Sequence, residues 1–229
     1  VTSDININKI EVWVTNTTSN YENSRNIVAF TDLGEGKEEW IYNDNEVYPT
    51  SNIGNQYPDN YSNTMLNDMD YNSIRSLNTV TSYLTAQGYT SGKDFEKLQK
   101  ARKLSPSEYV LNSKLGFITL NINLNANQTL AVAYQYTVIG QDKVYQVGEF
   151  SDQSIADPNL LVTKLLKSTT INTKMPMWDL MMKNVYNIRA YQISPSDFVM
   201  NILYLGNDNG VSTGYFSDAK GDTKGVSLL

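Results

Sequence analysis

Carboxylates are the first candidates for chemistry in this chain: Asp32, Glu35, Glu38 and Glu39 crowd a Gly34-Glu35-Gly36 turn. Two acids facing each other across a cleft can hydrolyse a glycosidic bond without help from His or Cys. Spacing along the chain does not bring carboxyls face to face, and a loop of solvated acids is the plainer reading. Gly34-Glu35-Gly36-Lys37 also lacks the spacing of a phosphate-binding loop. Asn207-Asp208-Asn209-Gly210 and Asp218-Ala219-Lys220-Gly221-Asp222 offer oxygen donors of the kind calcium takes. Neither is followed by the Glu that closes a calcium-binding loop, so turn chemistry accounts for both.

Composition removes many other sites. Cys and His are both missing from the 229 residues, which excludes thiolate nucleophiles, zinc knuckles and a disulfide framework, and removes the commonest general base. The formal charge is -6, from 24 acidic against 18 basic residues, so nucleic acid and anionic lipid are poor partners. The densest basic stretch, residues 93–103, is broken by Asp94 and Glu96 and reads as one solvated helix face. Trp13, Trp40 and Trp178 could stack on sugar rings, yet they fall on unlike elements and read better as core anchors. Met177, Met181 and Met182 read as core filler beside Trp178. No catalytic, cofactor-binding or metal-ligating residue is assigned, and no cofactor is expected.

The elements that must position these groups follow from hydrophobic periodicity. Residues 9–15 alternate, with Ile10, Val12 and Val14 on one side and Glu11, Trp13 and Thr15 on the other, a half-buried strand. Residues 26–33 predict a second strand and Trp40-Ile41-Tyr42 a short third, before a polar loop over 43–63. Leu66, Met69, Leu77, Val80 and Leu84 recur at helical spacing and predict a helix over 65–84. A second helix is expected over 94–103, burying Phe95, Leu98 and Ala101 and ending at Ser105-Pro106. Ile118, Leu120, Ile122 and Leu124, then Leu130, Val132, Tyr134, Tyr136 and Val138, alternate on either side of Asn125-Ala126-Asn127-Gln128 and predict a hairpin. Residues 144–150 add a strand, whereas 160–167 are apolar without a decisive period. Pro176 opens a third helix through Asn184, burying Trp178, Met181 and Met182. Residues 188–193, 198–205 and 211–216 are the last strands, with a turn at 207–210.

These elements predict an α+β fold: a mostly antiparallel β-sheet or sandwich decorated with about three helices. A wall segment of a membrane barrel would repeat alternating strands with little else, so an ordinary sheet is preferred. No signal peptide opens the chain, and no run approaches a membrane helix. The start at Val1-Thr2-Ser3-Asp4, just before a strand, suggests an excised segment. One module over 1–229 is expected, with a subdivision near 105 between a helical part and a hairpin-rich part.

Several blocks carry a family resemblance. Asn6-Ile7-Asn8-Lys9-Ile10-Glu11-Val12-Trp13-Val14-Thr15-Asn16, Arg25-Asn26-Ile27-Val28-Ala29-Phe30 and Asp32-Leu33-Gly34-Glu35 resemble segments of the SprA family, also called Sov. So do Ala101-Arg102-Lys103-Leu104, Glu108-Tyr109, Leu115-Gly116-Phe117, Leu130-Ala131-Val132-Ala133-Tyr134, Tyr145-Gln146-Val147-Gly148-Glu149-Phe150 and Met177-Trp178-Asp179-Leu180-Met181-Met182-Lys183-Asn184-Val185-Tyr186. The blocks follow the family's order and span nearly the whole chain.

The resemblance implies the translocon of the type IX secretion system of Bacteroidetes, used for protein export and gliding motility. Members form a giant outer-membrane β-barrel through which folded cargo leaves the periplasm, without catalytic residues or cofactor. This chain lacks the barrel, so the pore function does not transfer to it. The expectation is a non-catalytic extramembrane module, at the cell surface or on the periplasmic face. Its expected partners are the rest of its own barrel, other secretion-system proteins and secreted cargo. A surface carbohydrate-binding module is the alternative, and a carboxylate hydrolase the third reading.

Overall fold

Strand β1 (Ile5–Val14) is buried on both faces over its last four residues, and that burial reveals the architecture. The structure is a computed structural model describing residues 3–33, 58–60, 69–153, 155–171, 173, 176–182, 192, 194, 196, 199, 203–205, 212–213, 215–216 and 226–227. Contacts divide the chain into two compact units, Val1–Lys183 and Asn184–Leu229. In the first, β2 (Ser24–Phe30) is followed by two short helices, α1 (Tyr71–Arg75) and α2 (Val80–Ala86). Then come β3 (Phe95–Lys103), β4 (Tyr109–Asn112), β5 (Phe117–Leu120), β6 (Leu130–Val138), β7 (Val144–Val147), β8 (Leu161–Lys167) and a 3₁₀ turn over Pro176–Leu180.

Five of these strands close on themselves. The order β1-β3-β2-β8-β6 returns to β1, because β1 pairs with β6 along its whole length, from Ile5↔Val138 to Val14↔Leu130. All pairings are antiparallel except β2 with β8, where Ile27 faces Leu161. The far edge of β6 is shared: residues 130–132 pair with β8 and residues 134–137 with β7. The fold is therefore mostly β, as expected, but its core is a closed barrel rather than an open sheet or sandwich.

Alternation then sorts the side chains. Trp13, Ile27, Ala29, Leu98, Ala101, Ala131, Leu161 and Leu165 come from all five barrel strands and form one buried cluster, the barrel interior. So narrow a barrel has room for a few large side chains only beside small ones. Ala29, Ala101 and Ala131 leave the space that Trp13 fills. The opposite faces are covered from outside. Val28, Phe30, Phe95 and Val162 pack with Ile74, Val80 and Leu84 of the helices, while Val12, Val14, Leu130 and Val132 pack with Ile118, Leu120, Ile122 and Leu124.

Four expectations are corrected. Residues 95–103 form a strand, not a helix. A bulge opposite Asn26 explains the helical spacing: Ala101 pairs with Arg25 and Leu98 with Ile27, so two residues, Gln99 and Lys100, oppose one. Lys100 takes φ 50° and donates its N–H to Asn26 Oδ1 at 3.0 Å. The extra residue stretches the strand's period from two to three across that step. The expected hairpin of 118–124 with 130–138 is not formed: β5 pairs back onto β4, and β6 pairs with β1. The apolar row of 118–124 is real but packs on the barrel wall face to face. The helix expected over 65–84 is broken at Ser76, whose ψ of 126° is extended, so that α1 and α2 are separate over the described part. Finally, Pro176 opens one 3₁₀ turn that buries Met177, whereas Met182 is 58% exposed. Among the described residues the α-helices number two rather than about three.

Residues 160–167, undecided by period, form β8, an apolar run buried on both sides as parallel strands are. In the second unit, β9 (Tyr204–Leu205) pairs antiparallel with β10 (Ser212–Thr213); the turn expected at 207–210 lies outside the described residues. There β11 (Tyr215–Phe216) pairs with β12 (Val226–Ser227). Trp40-Ile41-Tyr42 and the loop over 43–57 lie outside the described residues, as do 188–191.

Gly148 follows β7 and presses its backbone against β6. At φ +78°, an added Cβ would stand 3.1 Å from Ala133 Cβ and 3.3 Å from Val132 O. Gly148 N–H and C=O are both bonded to the Asn60 amide at 2.8 Å, so the backbone is not free to move away. Gly148→Ala is expected to destabilise the protein by about 1–3 kcal/mol, read as a lower urea midpoint with unchanged slope.

Candidate functional site

Among the described residues, clusters of charged groups stand at both mouths of the barrel and beneath the helices. At one mouth, Glu11 follows the inward alternation that also places Trp13 inside, and Lys103 arrives opposite it from β3. Lys103 Nζ is ion-paired with Glu11 Oε1. The loop after β7 closes over them: Ser151 N–H donates to Glu11 Oε2 at 2.9 Å and Ser151 Oγ to Oε1 at 2.8 Å. Lys103 Nζ also donates to Ser151 Oγ at 3.2 Å and lies 5.9 Å from the Trp13 ring. Beside it, Lys9 pairs with Asp152 at 2.7 Å and sits 4.2 Å over the Phe150 ring.

A hydroxyl next to an ammonium has the makings of a serine–lysine nucleophile. That chemistry needs a free amine lone pair to take the Ser151 proton. Here the Lys103 donor set points at Glu11 and Ser151, and the Ser151 proton already goes to Glu11. The arrangement fastens a loop over the barrel mouth.

At the other mouth, Glu96 Oε1 accepts from Ser168 Oγ at 2.6 Å and Thr169 Oγ1 at 3.0 Å. Ser168 N–H donates to Met177 Sδ at 2.9 Å, which brings the 3₁₀ turn over this end. Lys167 reaches the carbonyls of Gln128, Ala126, Ser168 and Asn125 at 2.6, 2.9, 3.1 and 3.5 Å. Partial burial lowers the Lys167 pKa, against an opposing pull from Glu96.

The third group lies outside the barrel, beneath the helices. Arg75 grips Glu149 in a two-pronged pair, Nη1 to Oε2 at 2.5 Å and Nη2 to Oε1 at 2.6 Å. Arg75 Nη1 also donates to Leu160 O at 2.8 Å, and Glu149 Oε2 accepts from Val162 N–H at 2.7 Å. Burial opposes the guanidinium charge, but the Glu149 carboxylate and, to a lesser extent, Tyr71 together more than offset it and raise the Arg75 pKa.

The residues singled out in the sequence fall otherwise. Asp32 is buried just past β2 at 3% exposure, while Glu35, Glu38, Glu39 and the turn through Lys37 lie outside the described residues. So do Trp40 and the two oxygen-rich turns at 207–210 and 218–222, Asn207 and Asp218 included. Among the described residues no group of three acids gathers as a metal would require. Trp13 is a core anchor as expected, but its side of the strand is not the polar one: the ring is 0% exposed within the barrel interior. Trp178 is half-buried. The basic stretch is no solvated helix face, because Lys97, Lys100, Arg102 and Lys103 reach Leu77 O, Asp157, Glu108 and Glu11.

Glu108 offers a pH test. Burial pushes its carboxyl up, but donors at Ser105 N, Arg102 and Ser105 Oγ more than reverse this, and the pKa is lowered. A carboxyl depressed by folding stabilises the protein above its ordinary value, and the contribution fades as pH falls through the lower folded-state value. Glu108→Gln should therefore lower stability at neutral pH, by no more than about 1 kcal/mol because the pair is partly solvated. Thermal melts of both proteins should converge as the solution is acidified.

Fold and site together define a mostly β protein built on a closed five-stranded barrel whose ends are shut by ion pairs and hydrogen bonds. Among its described residues no helix is long and apolar enough to cross a membrane. Compared with protein-family models and with curated proteins, the chain matches none.

Proposed function

We propose that this chain is a non-catalytic, extramembrane structural and protein-interaction module of a giant outer-membrane translocon of the SprA/Sov kind, serving type IX secretion and gliding motility. The observation that carries the reading is the self-covered core. The apolar residues on both faces of the barrel strands are packed by the chain's own helices, its β4–β5 hairpin and loops. Such a module needs no lipid on its strands, in keeping with an insert that stands clear of the membrane at the cell surface or periplasmic face. The family-like blocks Ile10-Glu11-Val12-Trp13-Val14 and Ala131-Val132-Ala133 fall on the barrel strands themselves. Carboxylates Glu11, Glu96 and Glu149 each accept from several donors, which suits structural roles better than acid–base chemistry. A surface carbohydrate-binding module, the alternative, would need an exposed ring platform, and buried Trp13 does not supply one. Partners are then the remainder of the barrel, other secretion-system proteins and passing cargo.

Deleting residues 9–205 from the parent translocon and assaying export tests this. Loss of cargo release with the barrel still assembled is the expected result. Normal secretion with unchanged gating would reject a required role.

A further inference from the structure

Closure removes the edges of the five barrel strands, and the second edge of β7 is capped by side chains. Asp59 Oδ1 accepts from Gln146 N–H at 3.3 Å, and the Asn60 amide takes both backbone groups of Gly148. Strand β5 is treated differently. Among the described residues it pairs only with β4, and the bond from Asn121 N–H to Glu108 O at 2.8 Å fixes the alternation of that ladder. Residues 117 and 119 therefore turn their backbone groups to β4, and Ile118 and Leu120 turn theirs outward. Among the described residues nothing pairs with that outward edge. The segment Phe117-Ile118-Thr119-Leu120-Asn121-Ile122-Asn123-Leu124 holds no charge, no Pro and no Gly, the devices with which exposed edges are protected.

We propose that this edge is a strand-addition site for a second copy of the chain, β5 against β5 in a two-fold antiparallel pair. The register is dictated by the outward groups: Ile118 bonds Leu120 of the second copy and Leu120 its Ile118, with Thr119 facing Thr119 across the axis. That register merges the two apolar rows beneath and leaves the exposed Thr119 side chains in contact above. Each chain carries a net charge of -6, yet residues 115–127 carry none, so the pairing brings no like charges together. The edge is short, and the dimer is a weak one that forms by mass action.

Sedimentation of the full chain from about 10 µM to 1 mM tests the proposal, spanning the range of weak association. The weight-average mass of wild type should climb toward twice that of the monomer. Thr119→Lys, an exposed change that leaves the thermal melt intact, should shift the midpoint at least about tenfold higher. An equimolar mixture of Thr119→Lys with Thr119→Glu should regain association. A monomer throughout, or a dimer indifferent to Thr119→Lys, overturns the proposal. So does capture of a peptide copy of residues 117–124 without self-association, which would make the occupant a partner's strand.

Discussion

Trp13→Ala should cost the fold about 3–5 kcal/mol, the range for removing a fully buried indole from a core that cannot collapse. The ring is 0% exposed, and its neighbours in the barrel interior are held on five hydrogen-bonded strands. A ring of strands resists shrinking around a void in a way that packed helices do not. Among the described residues Trp13 Nε1 has no hydrogen-bond partner, so the loss is one of packing and apolar burial rather than of a bond. The void would be bounded mostly by the apolar side chains of the barrel interior, and therefore able to accept a small aromatic. Added indole or benzene should raise the variant's melting temperature and leave the wild type unmoved. Trp13→Phe should fall well short of the alanine loss. Equal stability of Trp13→Ala and wild type would mean that the interior is not packed as described.

Arg75→Met carries the second large effect, also about 3–5 kcal/mol, because it strands a buried carboxylate. Side chains of Arg75 and Glu149 are only 10% and 15% exposed, and the pair ties α1 to the β7–β8 junction. Removing both charges should be milder. Arg75→Met with Glu149→Leu leaves Leu160 O and Val162 N–H short of a partner each, at about 1–3 kcal/mol. A double-mutant cycle by urea unfolding should therefore give a coupling of at least about 1 kcal/mol. Additive losses would show that the two side chains do not depend on each other.

The contrast between these two residues shows what was legible in the sequence. Strands β1, β2, β6 and β7 stand out by their apolar content and alternation, and the apolar row of Ile118, Leu120, Ile122 and Leu124 was visible as one face. Alternation cannot say whether a strand's second face meets water or the inside of a barrel, which is why Trp13 reads as lying on a polar side. The bulge at Gln99-Lys100 sets Leu98 and Ala101 three positions apart on one face and imitates a helix turn, so β3 was hidden by one added residue. Pairing was hidden for a different reason. A strand followed by a turn and another strand suggests a hairpin, yet β6 finds its partner in β1, across Val12↔Val132. The ionic groups left no local trace: Arg75 and Glu149 lie 74 residues apart, and Glu11 and Lys103 lie 92 apart. Only the tertiary fold brings them together.

Closure gives the barrel an interior filled with side chains, and loops are pinned over both of its ends. Native-state hydrogen exchange tests that most directly. If the ring is shut, amides of Val12, Ala29, Val132 and Val162 should exchange only through global unfolding, sharing one free energy equal to that from urea melts. Fast, independent exchange along β1 and β6, with β2 and β8 still protected, would show that the barrel opens at its closing seam and would contradict the account.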